Sequence, residues 1–334
     1  MERRNVGSTE LNVSRVGLGG IPIQRNGVSE AIELIDFLEE KGVNFIDTAR
    51  GYTCSEEYIG LALQNRRDKF ILATKSMART YEGMKKDILI SLNNLKTSYI
   101  DLYQIHNLKY EEEFKLVMSE NGAYRALVEA KDQGLIKYIG ITSHSFDFLD
   151  KVLDMDLFET IQFPYNIVES KNSILFEKAH KKGVGTICMK PLAGGAIDDG
   201  KLAIKYLLND ENVDVIIPGM KSLIEAEENL SIGFLEYTEE ELNKIEEIKK
   251  KLDGDFCRRC GYCAPCTKGI DVASCFMFHG YYERYDLKDW AISRYNNMSA
   301  HASDCINCGV CLTRCPYEIN IPLKLKEVVK SFGK

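Results

Sequence analysis

Between about residue 16 and residue 230, short apolar β-branched runs alternate eight times with segments of helical period. Val16 to Gly19 precedes Ser29 to Lys41, Val43 to Ile46 precedes Ser55 to Leu63, and Lys69 to Thr74 precedes Tyr81 to Leu95. The beat continues with Ile100 to Ile105 before a helix near Gly122 to Gln133, Tyr138 to Thr142 before Phe146 to Leu153, and Thr160 to Phe163 before Ser173 to Lys181. Gly185 to Met189 before Lys201 to Leu208, and Val213 to Ile217 before Leu223 to Leu230, complete the series. Gly42, Gly134 and Gly183 stand where helices should end, each just ahead of the next strand. Eight strand-helix units predict a (β/α)8 TIM barrel of α/β class, with an open doubly wound sheet as the weaker alternative. No GxGxxG opens the first helix, which counts against a dinucleotide-binding open sheet.

A chain of 334 residues, 45% hydrophobic, holds one large core of about 200 to 250 residues and a small appended domain. Its formal net charge is -7, with basic residues scattered among acidic ones, so no nucleic-acid partner is expected. No apolar run follows Met1-Glu2-Arg3-Arg4 and no stretch reaches the length of a membrane span, so a cytoplasmic protein without a membrane partner is expected. That compartment keeps thiols reduced and favours metal ligation over disulfides.

The thiols are concentrated at one end. Eight of the 11 cysteines fall in two runs, Cys257, Cys260, Cys263, Cys266 and Cys305, Cys308, Cys311, Cys315. The second run is C-x2-C-x2-C-x3-C-P, the spacing by which a bacterial-type loop wraps a 4Fe-4S cluster. The first run closes with an x2 interval instead, and structural zinc is its serious alternative because two CxxC pairs also suit a tetrahedral thiolate site. Eight thiolates in two runs of four match two 4Fe-4S clusters. The 38-residue gap between the runs contains Tyr281, Tyr282, Tyr285 and Trp290, and predicts a small, mainly helical ferredoxin-like domain. Cys54, Cys188 and Cys275 fit no ligand spacing, and Cys188 reads as barrel core.

A barrel places chemistry at the C-terminal ends of its strands. Asp47, Lys75 and His106 end the second, third and fourth apolar runs, and Tyr52 lies in the loop after Asp47. Any one polar strand end is ordinary, because strand ends are solvated. Four chemical types converging on one face point to a reaction site.

The opening Arg4-Asn-Val-Gly-Ser-Thr-Glu-Leu-Asn-Val-Ser-Arg-Val-Gly-Leu-Gly19 and the run Asp47-Thr-Ala-Arg-Gly-Tyr52 with Ser55-Glu56 resemble the aldo-keto reductase family over about residues 4 to 235. The cysteine tail resembles a ferredoxin-type 4Fe-4S extension. The resemblance implies a tetrad of Asp47, Tyr52, Lys75 and His106 that reduces a small-molecule aldehyde or ketone by hydride transfer from NADP or NAD. It implies carboxamide contacts from Ser143 and Gln162, with His144 where the family has Asn. Met189 stands where an aromatic would stack, and Lys190, Pro191, Leu192 and Gly194 form a loop facing pyrophosphate. Gly219, Lys221, Ser222, Glu228 and Asn229 resemble the adenosine end. There Glu225 occupies a place often held by Arg and Gly219 replaces Lys, which leaves the choice between NADP and NAD open.

An alkoxide forming on a reduced carbonyl needs a proton donor, and a phenol of ordinary pKa about 10 donates slowly at neutral pH. Lys75 is therefore expected to lower the Tyr52 pKa, Asp47 to hold Lys75 charged, and His106 to orient the carbonyl. By analogy with two-cluster ferredoxins the fourth cysteines cross over, pairing Cys315 with the first run and Cys266 with the second. The expected division is a barrel over residues 1–235, a linking helix over 236–254 and an iron-sulfur domain over 255–334. Two readings remain: a carbonyl reductase, with a redox partner protein for its clusters, or an electron-transfer or binding protein on a barrel that no longer transfers hydride.

Overall fold

The computed structural model describes the chain apart from residues 1, 253–256, 258–260, 285–287 and 316 and the side chains of residues 281, 284 and 290. A short hairpin comes first, β1 (Arg3–Asn5) paired antiparallel with β2 (Asn12–Ser14). The alternating unit follows: β3 (Leu18–Gly19), α1 (Val28–Glu40), β4 (Phe45–Asp47), α2 (Ser55–Ala62), β5 (Ile71–Ser76), α3 (Tyr81–Asn94), β6 (Ile100–Ile105) and α4 (Glu111–Val117). Then come α5 (Ala123–Asp132), β7 (Ile136–Thr142), α6 (Phe146–Leu153), β8 (Thr160–Pro164), α7 (Ser173–Lys181), β9 (Gly185–Met189), α8 (Gly200–Leu208), β10 (Val215–Ile217) and α9 (Leu223–Leu230).

Strands β3 to β10 form one parallel sheet in sequential order. Parallel bridges Val16–Ile216 and Gly19–Gly219 bring its edges together, with the Gly17 N–H donating to Ile216 O at 2.8 Å and the Gly19 N–H to Pro218 O at 2.8 Å. The sheet is thus the wall of a (β/α)8 barrel. Every residue of β6 is buried, as a parallel strand covered on both faces must be. Helices cover the outside through narrow apolar stripes. In α5 Ala123, Ala126, Leu127 and Ala130 recur at helical spacing and face inward, and burying Leu127 contributes about 2 kcal/mol. Gly42, Gly134 and Gly183 end their helices at φ of 82°, 74° and 72°, a conformation that glycine adopts without a Cβ clash.

Two features went unread in the sequence. The connection from β6 to β7 carries an additional helix, α4, ahead of α5. The hairpin packs Val6, Leu11 and Val13 against Phe45, Ala73, Leu102, Ile187 and Val215 inside the barrel. Its turn reaches strand starts, where the Ser8 N–H donates to Gly183 O at 2.8 Å and the Gly7 N–H to the buried Asp214 carboxylate at 2.9 Å. The hairpin therefore plugs the N-terminal end of the barrel.

Contact clustering separates two compact units, Met1–Ala193 with Ile197–Lys244, and Gly194–Ala196 with Ile245–Lys334. Helix α10 (Glu239–Leu252) begins with three glutamates and ends with three lysines, matching its dipole. The boundary expected at 253–255 lies outside the described residues. The second unit contains α11 (Val272–Arg284), α12 (Lys288–Asn296), α13 (Val310–Arg314) and α14 (Ile321–Phe332). Its core joins Ile270, Val272, Cys275, Tyr295, Ile319, Ile321, Leu325 and Val328, and six of the predicted ligand cysteines pack against it. Tyr295 stacks on Phe332 at 4.3 Å between ring centroids, and its hydroxyl accepts from the Ala302 N–H at 2.7 Å. Tyr285 and the side chains of Tyr281 and Trp290, expected to cover the clusters, are outside the described residues.

Candidate functional site

The period of two along a strand positions the site. Phe45, Ala73 and Leu102 belong to the inner apolar layer, so Asp47, Lys75 and Gln104, two residues on, point into the barrel nearer its C-terminal end. There Lys75 donates to Asp47 Oδ2 at 2.5 Å and to Thr48 O at 2.8 Å, with both charged side chains almost fully buried. Gln104 donates to Asp47 Oδ1 at 3.2 Å, and Gln162 on β8 donates to Oδ2 at 3.5 Å. Burial alone would drive Lys75 neutral, but the attraction of Asp47, followed by that of Tyr52, outweighs it and holds the ammonium above its ordinary pKa.

Tyr52 hangs over this pair from the β4–α2 loop, with the Lys75 ammonium 5.2 Å from its ring centroid and the His106 ring 6.0 Å away in an edge contact. The ring retains some exposure, yet protein packed around its hydroxyl raises the phenol pKa, and Lys75 only partly offsets that rise. The expectation of a lowered Tyr52 pKa is therefore corrected: desolvation is larger than the cation's pull, and the phenol stays protonated. His106, one residue past β6, is pushed down to about 3 by burial and then by Lys75 and Arg79. Its imidazole is neutral at ordinary pH, and its buried Nδ1 has no hydrogen-bond partner among the described residues.

Glu56 is a participant whose role the sequence did not disclose. Its carboxylate, 1% exposed, accepts from Arg50 at 2.6 Å, Thr74 at 2.8 Å, Ser91 at 2.8 Å and Asn94 at 3.2 Å. Arg50 lies two residues before Tyr52, and Thr74 is next to Lys75. One buried carboxylate thus ties the tyrosine loop to β5 and α3, and Thr48 adds a hydrogen bond to Ser55 at 2.9 Å.

The residues expected to contact a dinucleotide lie after β7, in β8, at and after β9, after β10 and in α9. Ser143, at the end of β7, is fully buried, and its hydroxyl accepts the Ser145 N–H at 3.0 Å. His144 is held well below its usual pKa by burial and then by Lys190, His106 and Lys109. Met189 packs against the inner barrel core. The loop after it turns through left-handed φ at Lys190 (56°), Ala193 (49°), Gly194 (67°) and Gly195 (85°), with Pro191 and Leu192 between. Gly219 lies against Pro22, so near that an added Cβ would sit 2.9 Å from its ring. Ser222 caps α9 and the exposed Lys221 donates its N–H to Glu225 at 2.7 Å. Asn229 is buried, not on the helix surface, and Glu228 accepts the Gly200 N–H at 3.4 Å.

Two cysteines are packing residues. Cys188 is fully buried and its thiol pKa rises well above the ordinary value through burial, and burial pushes Cys275 up to about 12. Cys54 is half-buried ahead of α2. In the second unit, Cys266 joins Cys305, Cys308 and Cys311 in lining one hollow, together with Cys263, Pro322 and Leu325. Gly261 and Gly309 follow the second cysteine of each run and take φ of 80° and 75°, so both loops turn back alike. Thr267 and Cys308 are hydrogen-bonded at 3.4 Å. Cys257 and Cys315 pack against the same small core, whereas Cys260 and Pro316 lie outside the described residues.

A parallel barrel with an oxidoreductase-like polar constellation at its strand ends defines the class, and comparison with known proteins supplies the family. The model of the aldo/keto reductase family matches residues 15–202, and this chain belongs to that family. A 4Fe-4S dicluster domain matches residues 256–320. The chain is 27% identical over 269 residues to an uncharacterized oxidoreductase of Bacillus subtilis (strain 168), covering 76% of this chain and 79% of that protein. It is 28% identical over 304 residues to L-galactose dehydrogenase of Arabidopsis thaliana, covering 74% of this chain and 94% of the relative. Among solved structures it resembles the holo form of an aldo-keto reductase from Bacillus halodurans, with a TM-score of 0.64, 25% identity, and coverage of 74% of this chain and 96% of that one. The chain is an oxidoreductase enzyme of this family, carrying a 4Fe-4S dicluster domain. Among the described residues no helix is long and apolar enough to cross a membrane.

Proposed function

We propose that the barrel reduces an aldehyde or ketone of a small molecule with NAD(P)H, using Tyr52, Lys75, Asp47 and His106, and that the C-terminal unit carries two 4Fe-4S clusters. The buried Lys75–Asp47 pair beneath Tyr52 carries this reading. A bound reduced nicotinamide would supply hydride to the carbonyl carbon. Tyr52 would donate its phenolic proton to the oxygen as negative charge develops there, completing the alcohol, and would then be reprotonated from solvent. Lys75 stabilises the transient phenolate, which is where a fixed cation contributes most in a desolvated site. The neutral His106 ring orients the carbonyl without adding charge. Gln162 supports the cofactor fit, because its Oε1 is buried without a hydrogen-bond partner among the described residues and suits a carboxamide N–H.

Ser143, His144, Met189 and the Lys190–Gly194 loop would border the nicotinamide and pyrophosphate. Gly219, Lys221, Ser222, Glu228 and Asn229 would border the adenosine. The thiols suit clusters, because five of them, Cys263, Cys266, Cys305, Cys308 and Cys311, line one hollow. In the crossed arrangement Cys266, Cys305, Cys308 and Cys311, all of which line that hollow, would hold one cluster. Cys257, Cys260, Cys263 and Cys315 would hold the other cluster.

Anaerobically purified protein tests both parts. Iron and sulfide near eight each per chain, and consumption of NADPH or NADH with an aldehyde that Tyr52→Phe abolishes, are the expected results. Turnover undiminished in Tyr52→Phe would defeat the reductase reading.

A further inference from the structure

The hollow in the C-terminal unit opens to solvent through an unusual rim. Cys308 is exposed, so the proposed cluster has one thiolate at the molecular surface. Beside it Ile306 is 59% and Leu312 42% exposed. Ile306 lines the hollow together with Gly309, and Leu312 approaches Gly309, so two exposed large apolar side chains border it, as is usual at binding surfaces. Two exposed cations, Lys268 and Arg314, flank them. Lys268 lines the hollow, and Arg314 acts electrostatically on Cys308 while donating to Pro265 O at 2.9 Å. Among the described residues neither cation has a carboxylate partner, although the chain as a whole carries a net charge of -7.

We propose that this rim, Ile306 and Leu312 between Lys268 and Arg314, is a docking face for an acidic one-electron carrier protein. The inference rests on the reading of Cys266, Cys305, Cys308 and Cys311 as cluster ligands. A small apolar centre with unpaired charges at its border suits the weak, fast encounters of electron carriers, which bury little area and rely on electrostatic steering. Unpaired cations select for a partner of negative charge, and the exposed Cys308 beside them suits a carrier that exchanges electrons with a cluster over a second copy of this chain. In each encounter one electron leaves the reduced carrier and enters the cluster behind Cys308, or passes the other way to an oxidised carrier.

The experiment uses the full chain loaded with iron and sulfide, and a reduced, strongly acidic bacterial ferredoxin as probe. Stopped-flow absorbance gives the second-order rate, and fluorescence anisotropy of labelled oxidised ferredoxin gives binding. Lys268→Glu with Arg314→Glu should slow the ferredoxin reaction and weaken binding by about tenfold at low salt, and should flatten the salt dependence. Reduced methyl viologen, a small cation, should react with wild type and variant within about twofold. Unchanged ferredoxin rates and binding in the variant overturn the docking face alone. Loss of the viologen reaction in parallel, or a dimer of the wild type that the variant disperses in sedimentation, also overturns it. Failure of the wild type to take up iron and sulfide defeats the cluster reading itself, and with it this inference.

Discussion

The barrel mouth and the cysteine unit are both clusters of reactive side chains, but they are held in opposite ways. Asp47, Lys75 and Gln104 stand on hydrogen-bonded parallel strands, behind an inner apolar layer and inside a buried ion-pair network. Among the described cysteines of the two runs only Cys311 stands in a helix, the short α13, and six of them are packed onto a core of buried residues. A site on strands is rigid before any ligand arrives. If its thiols hold clusters as proposed, a unit this small would gain much of its stability from them, since metal binding free energy is folding free energy.

Stripping the iron should expose that difference most strongly. Chelation under reducing conditions is expected to abolish hydrogen-exchange protection over α11 to α14 while the barrel strands keep theirs. Equal protection before and after would make the second unit's core self-sufficient. Next in size, Tyr52→Phe should lower kcat by about a thousandfold with little change in the 400 nm absorbance of the clusters, as steady-state kinetics and spectra would report. Lys75→Met should leave the buried Asp47 carboxyl without its cation, costing about 3 to 5 kcal/mol in urea denaturation of the barrel. Glu56→Gln should cost about 3 kcal/mol by leaving Arg50 without its buried carboxylate, and should lower kcat more than it raises KM if the tie to the tyrosine loop is what matters. An unaltered kcat would reduce Glu56 to a purely structural anchor.

Acid should sharpen the contrast by a smaller amount. His106 has a folded pKa of about 3, below its unfolded value of about 6.5, so the unfolded chain binds more protons in between. Barrel stability should therefore fall as pH drops from about 6.5 toward 3, and His106→Gln should flatten that slope in denaturant midpoints measured across the range. Identical slopes in the two proteins would place the acid sensitivity elsewhere.

Much of the molecule was legible because its signals are local. Short apolar runs, helical stripes and terminal glycines predicted the eight strand-helix units, and Asp47 and Lys75 stood out as polar residues closing those runs. Helix α4 was not legible because its Glu-Glu-Glu start and short apolar content leave too few apolar positions for a helical stripe. The Glu56 network was not legible because Arg50, Thr74, Ser91 and Asn94 come from a loop, a strand and a helix that only folding brings together. The D-T-A-x-x-Y run followed by Ser-Glu contained its one available signal, a carboxylate within reach of Arg50 by sequence.

By itself, then, the sequence determined the alternating architecture, the chemical types at the strand ends and the spacing of eight thiols, since each depends on residues near one another in the chain. Tertiary structure alone decided protonation and partnership. Tyr52 is raised where a cation nearby argued for lowering, because desolvation depends on everything packed around the hydroxyl. Cysteines of both runs, Cys263 and Cys266 with Cys305, Cys308 and Cys311, line one hollow for a similar reason: a loop's spacing fixes which thiols can converge, and only the packing of α14 and its neighbours fixes where they do.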